Sequence, residues 1–288
     1  MQYDVIAPTA AGTTADPDWI AAWAQHAERC GFSGVVAVEH AVVFDDHVDR
    51  YPYGNDGRMD IPYDTDIPDP LELLSYLAGC TTTLGLATGV LVLPDHHPVV
   101  LAKRLATLSR LSKGRLRVCV GMGWMREEVQ ACGADFDTRG RRADEQLEVL
   151  GKLWADGPAD HDGDFFRFSQ ALSYPKPHSP VPVHIGGHTR AAARRAGRFG
   201  AGIQPLGLVG QDLAALVAFM RSEATHAGRD PDALELTLGH LVSRVDADRA
   251  SRLAEQGAVR LVLAASATSD LSEAKDELSA CAERLGLT

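Results

Sequence analysis

Residues 81–128 read TTTLGLATGVLVLPDHHPVVLAKRLATLSRLSKGRLRVCVGMGWMREE, and the order of apolar runs within them decides the fold. Residues 84–93 form a continuous apolar run that reads as a buried strand. Residues 99–111 follow at helical spacing, with Val99, Ala102, Leu105, Ala106 and Leu108 on one side. Lys113-Gly114 ends that helix, and residues 115–123, RLRVCVGMG, make a second buried strand. Each strand runs into a polar or glycine-rich turn, and both exits face the same way. That is where α/β proteins hold their ligands.

The same alternation continues on either side. Upstream, residues 3–8 (YDVIAP) read as the first strand. Asp16-Pro17-Asp18 then opens a helix carrying Trp19, Ala22, Trp23 and Ala27, which Gly31 closes. Residues 34–40 (GVVAVEH) form a second strand ending in Glu39-His40, and residues 70–80 a second helix. Downstream, a helix spans about 143–154, with Leu147, Leu150, Leu153 and Trp154 on its apolar stripe. The strand VPVHIGG, the helix RAAARRAGRFG and the strand GAGIQPL come next. Helix 211–226, strand 234–241, helix 246–256, strand 259–264 and helix 271–285 complete the series. Eight strands alternating with helices predict an α/β fold, a (β/α)8 TIM barrel with insertions, as a single domain over 1–288. An open doubly wound sheet is the alternative, but no GxGxxG follows the first strand.

Two segments break the pattern. Residues 44–69 show no periodicity but hold Tyr51, Tyr53 and Tyr63, and a long irregular loop of that kind reads as a lid, with a disordered excursion as the competing reading. Residues 156–180 form an excursion before the fifth barrel strand.

Composition narrows the function. At 288 residues and 45% hydrophobic the chain can bury one large core, and its net charge of −11 argues against nucleic acid or an anionic membrane as partner. The five cysteines, Cys30, Cys80, Cys119, Cys132 and Cys281, are scattered without a CxxC pair, so reduced core thiols are expected rather than disulfides or zinc. No run is long and apolar enough to span a bilayer, and the N-terminus lacks a basic leader; a cytoplasmic protein is the expectation.

In a barrel the chemistry sits at the C-terminal strand ends. Glu39-His40 could supply a general acid or base, although such a pair is as often structural. Gly89, between Thr88 and Val90, interrupts a buried strand, which suggests a bulge or the close approach of a ligand, against the bland alternative of packing against a neighbouring side chain. Gly186-Gly187-His188 opens a helix in which Arg190, Arg194 and Arg198 recur at i, i+4 and i+8, an anion candidate against the bland alternative of a solvated helix. No metal site is expected: the first strand ends Ala7-Pro8-Thr9 without a ligand, and adjacent His96 and His97 point apart in an extended segment.

Taken together, these motifs resemble the luciferase-like monooxygenase superfamily, and within it the actinobacterial branch of coenzyme F420-dependent oxidoreductases. The resemblance runs through Glu39-His40, YPYG at residues 51–54, DPLELL at 69–74, the 88–116 segment, VGMGWMREE, EVLGKLW and VHIGGHTRAAARRAGRFGAG. It covers roughly residues 3–210 and agrees with the barrel count.

The resemblance implies a flavin or deazaflavin across the barrel mouth, backed by a strand-three bulge at Thr88, Gly89 and Val90 that often carries a non-proline cis peptide. It implies a phosphate held by Gly186, Gly187 and His188, with Arg190 beside it, and Gly121 and Gly123 lining the ring. Glu39 and His40 inherit the catalytic role, His40 moving a proton and Glu39 orienting it. Where some sugar-phosphate dehydrogenases of the family carry a glutamate, this chain has Trp124, a pocket wall together with Tyr51 and Tyr53. F420 is the expected cofactor, with FMN as the alternative, and the expected reaction is hydride transfer with a small organic substrate. FMN would instead favour monooxygenation, and a redox-inactive cofactor-binding barrel is the remaining reading. Relatives are commonly dimers, so a homodimer is expected.

Overall fold

The polypeptide begins with β1 (Gln2–Ile6) and α1 (Pro17–Arg29), followed by β2 (Gly34–Ala37), α2 (Pro70–Cys80), β3 (Gly85–Thr88), β4 (Leu91–Val92), α3 (Pro98–Leu111) and β5 (Leu116–Gly121). It continues through α4 (Arg126–Ala131), α5 (Arg139–Trp154), β6 (Ala159–Asp162), β7 (Arg167–Ala171), β8 (Val183–Gly186), α6 (Arg190–Phe199) and β9 (Gly202–Gln204). The last elements are α7 (Gly210–His226), β10 (Glu235–Leu241), α8 (Ala247–Glu255), β11 (Ala258–Ala264) and α9 (Leu271–Leu285). The structure is a computed structural model that describes residues 1–48, 50–52, 57–59 and 61–287.

Strands β3, β2, β1, β11, β10, β9, β8 and β5 pair in that order, and β5 pairs back onto β3. Every one of these pairings is parallel, so the sheet closes into an eight-stranded barrel with its helices outside. Closure rules out the open doubly wound sheet.

Local sequence explains the helix starts. Asp16 accepts from the N–H groups of Asp18 and Trp19 ahead of Pro17, and Asp69 does the same for Leu71 and Glu72 ahead of Pro70. Each cap is worth about 1 kcal/mol. The outer core is the seam between helices and sheet: Trp19, Trp23 and Ala27 from α1, Leu101, Leu105 and Leu108 from α3, and Leu147, Leu150 and Leu153 from α5 are buried. Inside the barrel, Val36, Ala87 and Val262 form a small apolar layer with Ile6 against it. At the opposite end from the strand exits, Asp4 holds both Arg117 and Arg260 at 2.7 Å, a buried charged plug.

Three departures from the sequence reading matter. The continuous strand expected over 84–93 is broken: β3 stops at Thr88, and β4 resumes at Leu91 after a cis peptide at Gly89–Val90. Its partner registers are Ala87 with Arg117 and Leu91 with Val120, so β3–β4 contains one residue more than β5 between them, a β-bulge. Secondly, a short helix, α4, stands between β5 and α5, and α5 itself starts at Arg139 rather than near Ala143. Thirdly, the 156–180 excursion contains a two-stranded antiparallel hairpin, β6–β7, tied to α5 by Glu145, which pairs with His161 at 3.0 Å. The five cysteines are free, three of them buried. No helix among the described residues is long and apolar enough to cross a membrane.

Candidate active site

The bulge shapes the floor of the barrel mouth. Its extra residue turns the Val90 side chain sideways, into the space between the ends of β5 and β8. A Cβ on Gly121 would lie 2.5 Å from Val90 Cγ2, and one on Gly186 would lie 2.6 Å from Val90 Cγ1. A Cβ on Gly89 would run into Val36 Cγ1 of the interior layer. These three glycines are therefore required by packing, and together with Val90 they leave a low, apolar floor without projecting side chains. Thr88 plays a different part from the ligand contact expected of it. Its hydroxyl donates to Cys119 O at 2.8 Å and accepts from Cys119 N at 3.0 Å, so it staples β3 to β5 where the bulge interrupts the ladder.

Gly123, at φ +74°, makes the turn into α4, and a Cβ there would come within 2.8 Å of Val129. On the other side of the floor, Gly187 at φ +112° turns the chain from β8 towards α6, and its N–H donates to Gln204 O. Thr189 caps α6 by accepting from Ala192 N at 3.1 Å, which leaves the half-buried Gly186-Gly187-His188 turn at the positive end of the helix. The Arg190 guanidinium lies 3.7 Å from the centre of the Phe219 ring on α7, and Arg194 approaches Glu223 at 3.8 Å, so both have contacts on the neighbouring helix.

The carboxylate–histidine arrangement also differs from the expectation. Glu39 does not orient His40. It is buried, accepts from Val92 N just beyond the bulge, and takes His96 Nε2 at 2.9 Å. His40 is instead held by Glu128: Nδ1 lies 2.9 Å from Oε2, while Oε1 accepts the N–H groups of Ala41 at 2.7 Å and Val42 at 3.4 Å. Glu128 is 1% exposed and reaches the site because α4 turns it inward.

Asp95 lies between the two pairs. Neither of its buried oxygens has a hydrogen-bond partner. Burial, reinforced by Glu128 and Glu39, pushes its carboxyl up to about 7. Burial alone would lower His96, but its bond to Glu39 and the nearby negative charges outweigh this and leave it raised. Sequence reasoning weighed His96 only as a metal ligand, met Glu128 only within VGMGWMREE and did not single out Asp95. Only the fold brings 39–40, 95–96 and 128 together.

Above His40 sits an aromatic wall. Trp124 packs edge-on against His40 at 6.3 Å, His47 at 5.1 Å and Tyr51 at 5.2 Å between ring centres. His47 Nε2 is 2.8 Å from the Tyr63 hydroxyl, and Val48 N donates to Glu127. Among its described residues, the 44–69 loop meets the site through His47 and Tyr51 against Trp124. Tyr53 lies outside the described residues. No group of three or more His, Cys, Asp or Glu among the described residues could hold a metal ion.

The barrel mouth thus combines an apolar floor of Val90 and three glycines, a glycine turn at a helix N-terminus and a carboxylate-held histidine. The profile of the luciferase-like monooxygenase family matches residues 1–285, and the chain belongs to that family. An uncharacterized protein of Mycobacterium tuberculosis is 34% identical over 167 residues, 58% of this chain and 59% of that protein. The F420-dependent glucose-6-phosphate dehydrogenase of Segniliparus rotundus is 30% identical over 217 residues, covering 73% and 59%. The FMNH2-dependent dimethylsulfone monooxygenase of Pseudomonas fluorescens is 35% identical over 125 residues, covering 42% and 34%. The matches thus span under two thirds of these relatives' lengths. The fold is shared with an F420-dependent secondary alcohol dehydrogenase (TM-score 0.75, 18% identity, 99% of this chain and 98% of that one). It is equally shared with the monooxygenase RslO1 of Streptomyces bottropensis (TM-score 0.75, 21% identity, 99% and 98%).

Proposed function

We propose that this protein is a coenzyme F420-dependent oxidoreductase acting on a small alcohol or carbonyl compound. The observation that carries the reading is the histidine at the mouth: His40 has one ring nitrogen fixed by Glu128, while its other makes no hydrogen bond among the described residues and its side chain remains 13% exposed. Interconverting an alcohol and a carbonyl moves a proton at oxygen for each hydride moved at carbon, and a histidine so held can take or supply that proton. The named activities of the Segniliparus dehydrogenase and of the secondary alcohol dehydrogenase support the same choice.

The residues present suit such a cofactor. Gly89, Val90, Gly121 and Gly186 provide a floor that a planar ring can lie against, since a Cβ at each glycine is already excluded by packing. The turn Gly186-Gly187-His188 would hold the phosphate at the start of α6. When bound, the deazaflavin supplies the hydride chemistry. The chain supplies the rest: Trp124, His47 and Tyr51 exclude water from above, and His40 handles the proton at the substrate oxygen.

FMN is the second reading, favoured by the dimethylsulfone monooxygenase relative, because the same floor and turn would accept it. Incubation with F420 or FMN followed by gel filtration and visible spectroscopy distinguishes the two. Co-elution of F420 is the expected result, and uptake of FMN alone would refute the first reading. A His40→Ala variant should retain the cofactor yet lose on the order of 10²–10⁴ in turnover. Full turnover in that variant would remove the role assigned to His40.

A further inference from the structure

Glu128 presents its two oxygens to different donors. Oε1 receives two backbone N–H groups, from Ala41 and Val42, and Oε2 faces only His40 Nδ1. A carboxylate oxygen can only accept, so the neutral ring must carry its proton on Nδ1 and leave the lone pair on Nε2. Among the described residues His40 Nε2 has no hydrogen bond, and the ring, 13% exposed, lies beside Trp124. We propose that Glu128 is a positioning residue that fixes His40 as the Nδ1–H tautomer, so that Nε2 is the basic atom offered to the substrate. This rests on the redox reading above for its purpose, but not for its test.

The assignment has an atomic consequence. In Glu128→Gln the side-chain oxygen remains opposite the two backbone N–H groups, because an amide NH2 there would meet donors. The NH2 is then directed at His40 Nδ1 and can only donate. Nδ1 must become the acceptor and the ring proton moves to Nε2, so the shape of the site survives while its basic atom is turned inward. A proton taken at Nε2 in the wild-type protein makes an imidazolium whose charge faces the Glu128 carboxylate; in the variant it would face a neutral amide. The contacts of Oε1 with the loop are conserved in this change, so the variant isolates the contact between Glu128 and His40 Nδ1.

The test is the long-range ¹H–¹⁵N correlation spectrum of the histidine rings in the ¹⁵N-labelled intact protein without added cofactor. His40 is assigned as the signal set missing from His40→Gln among the eleven histidines. The wild-type neutral ring should show a protonated Nδ1 and an unprotonated Nε2, and Glu128→Gln should show the reverse. A wild-type His40 with its proton on Nε2, or a variant with an unchanged pattern, would overturn the proposal. Should Glu128→Gln fail to fold, the wild-type spectrum still decides. With the cofactor and substrate in hand, the variant should lose on the order of 10²–10⁴ in kcat with little change in KM. An equal loss through KM alone would also count against a positioning role. The spectrum does not depend on turnover, so failure to bind F420 and failure of the tautomer assignment are separate results.

Discussion

Replacing Asp95 by Asn should stabilise the protein at neutral and alkaline pH and leave it nearly unchanged only below about pH 4. The carboxyl sits among Glu39, Glu128, His40, His96 and Cys132, and neither of its oxygens is hydrogen-bonded. Its value rises from the ordinary 3.8 to about 7, chiefly by burial. Between those values the folded protein keeps the proton and the unfolded chain releases it. The folded state therefore binds more protons in that window, and stability falls as pH rises from about 4 to about 7. At about 1.36 kcal/mol per pH unit, the full rise corresponds to about 4 kcal/mol. Relaxation of the neighbouring charges reduces it, so about 2–4 kcal/mol is expected. Asn is neutral throughout and lacks this term. Urea unfolding of both proteins at pH 4, 5, 6, 7 and 8 should show stabilities that nearly coincide at pH 4 and diverge with rising pH up to about 7, the variant being the more stable at pH 8. A difference that is constant with pH, or a variant less stable at pH 8, would refute the reasoning.

Other expectations concern the floor and the barrel. Gly121→Ala places a methyl 2.5 Å from Val90 and should cost about 1–3 kcal/mol in urea unfolding, with much of it recovered in Gly121→Ala/Val90→Ala. Thr88→Val removes the two bonds to Cys119 and should cost about 1–3 kcal/mol, visible as a lowered urea midpoint. Asp4→Ala leaves Arg117 and Arg260 without the carboxylate they share and should cost about 3–5 kcal/mol, measured by thermal or urea unfolding.

Much of the fold was legible in the chain because barrel strands and helices announce themselves by local periodicity. Trp19, Trp23 and Ala27 mark α1 and Leu147, Leu150 and Leu153 mark α5 wherever those helices pack. The bulge was legible through one residue, Gly89, since a glycine inside a buried strand has few other uses. The short α4 was not. Six residues carry too little periodicity to register, yet this helix delivers Glu128.

Sequence alone therefore determined the barrel, the family, and that His40 stands at a strand end with glycines on the neighbouring strands. Partner choice was decided only in three dimensions. Adjacency in the chain suggested that Glu39 serves His40, but successive residues leaving a strand point to opposite sides. Glu39 accordingly turns to Val92 and His96, and His40 finds Glu128, 88 residues away. Arg190 shows the same limit: its spacing on α6 was plain, while the presence of Phe219 on α7 beside it was not. Periodicity is a property of one segment, whereas a hydrogen bond across the barrel mouth depends on where closure of the sheet brings two segments together.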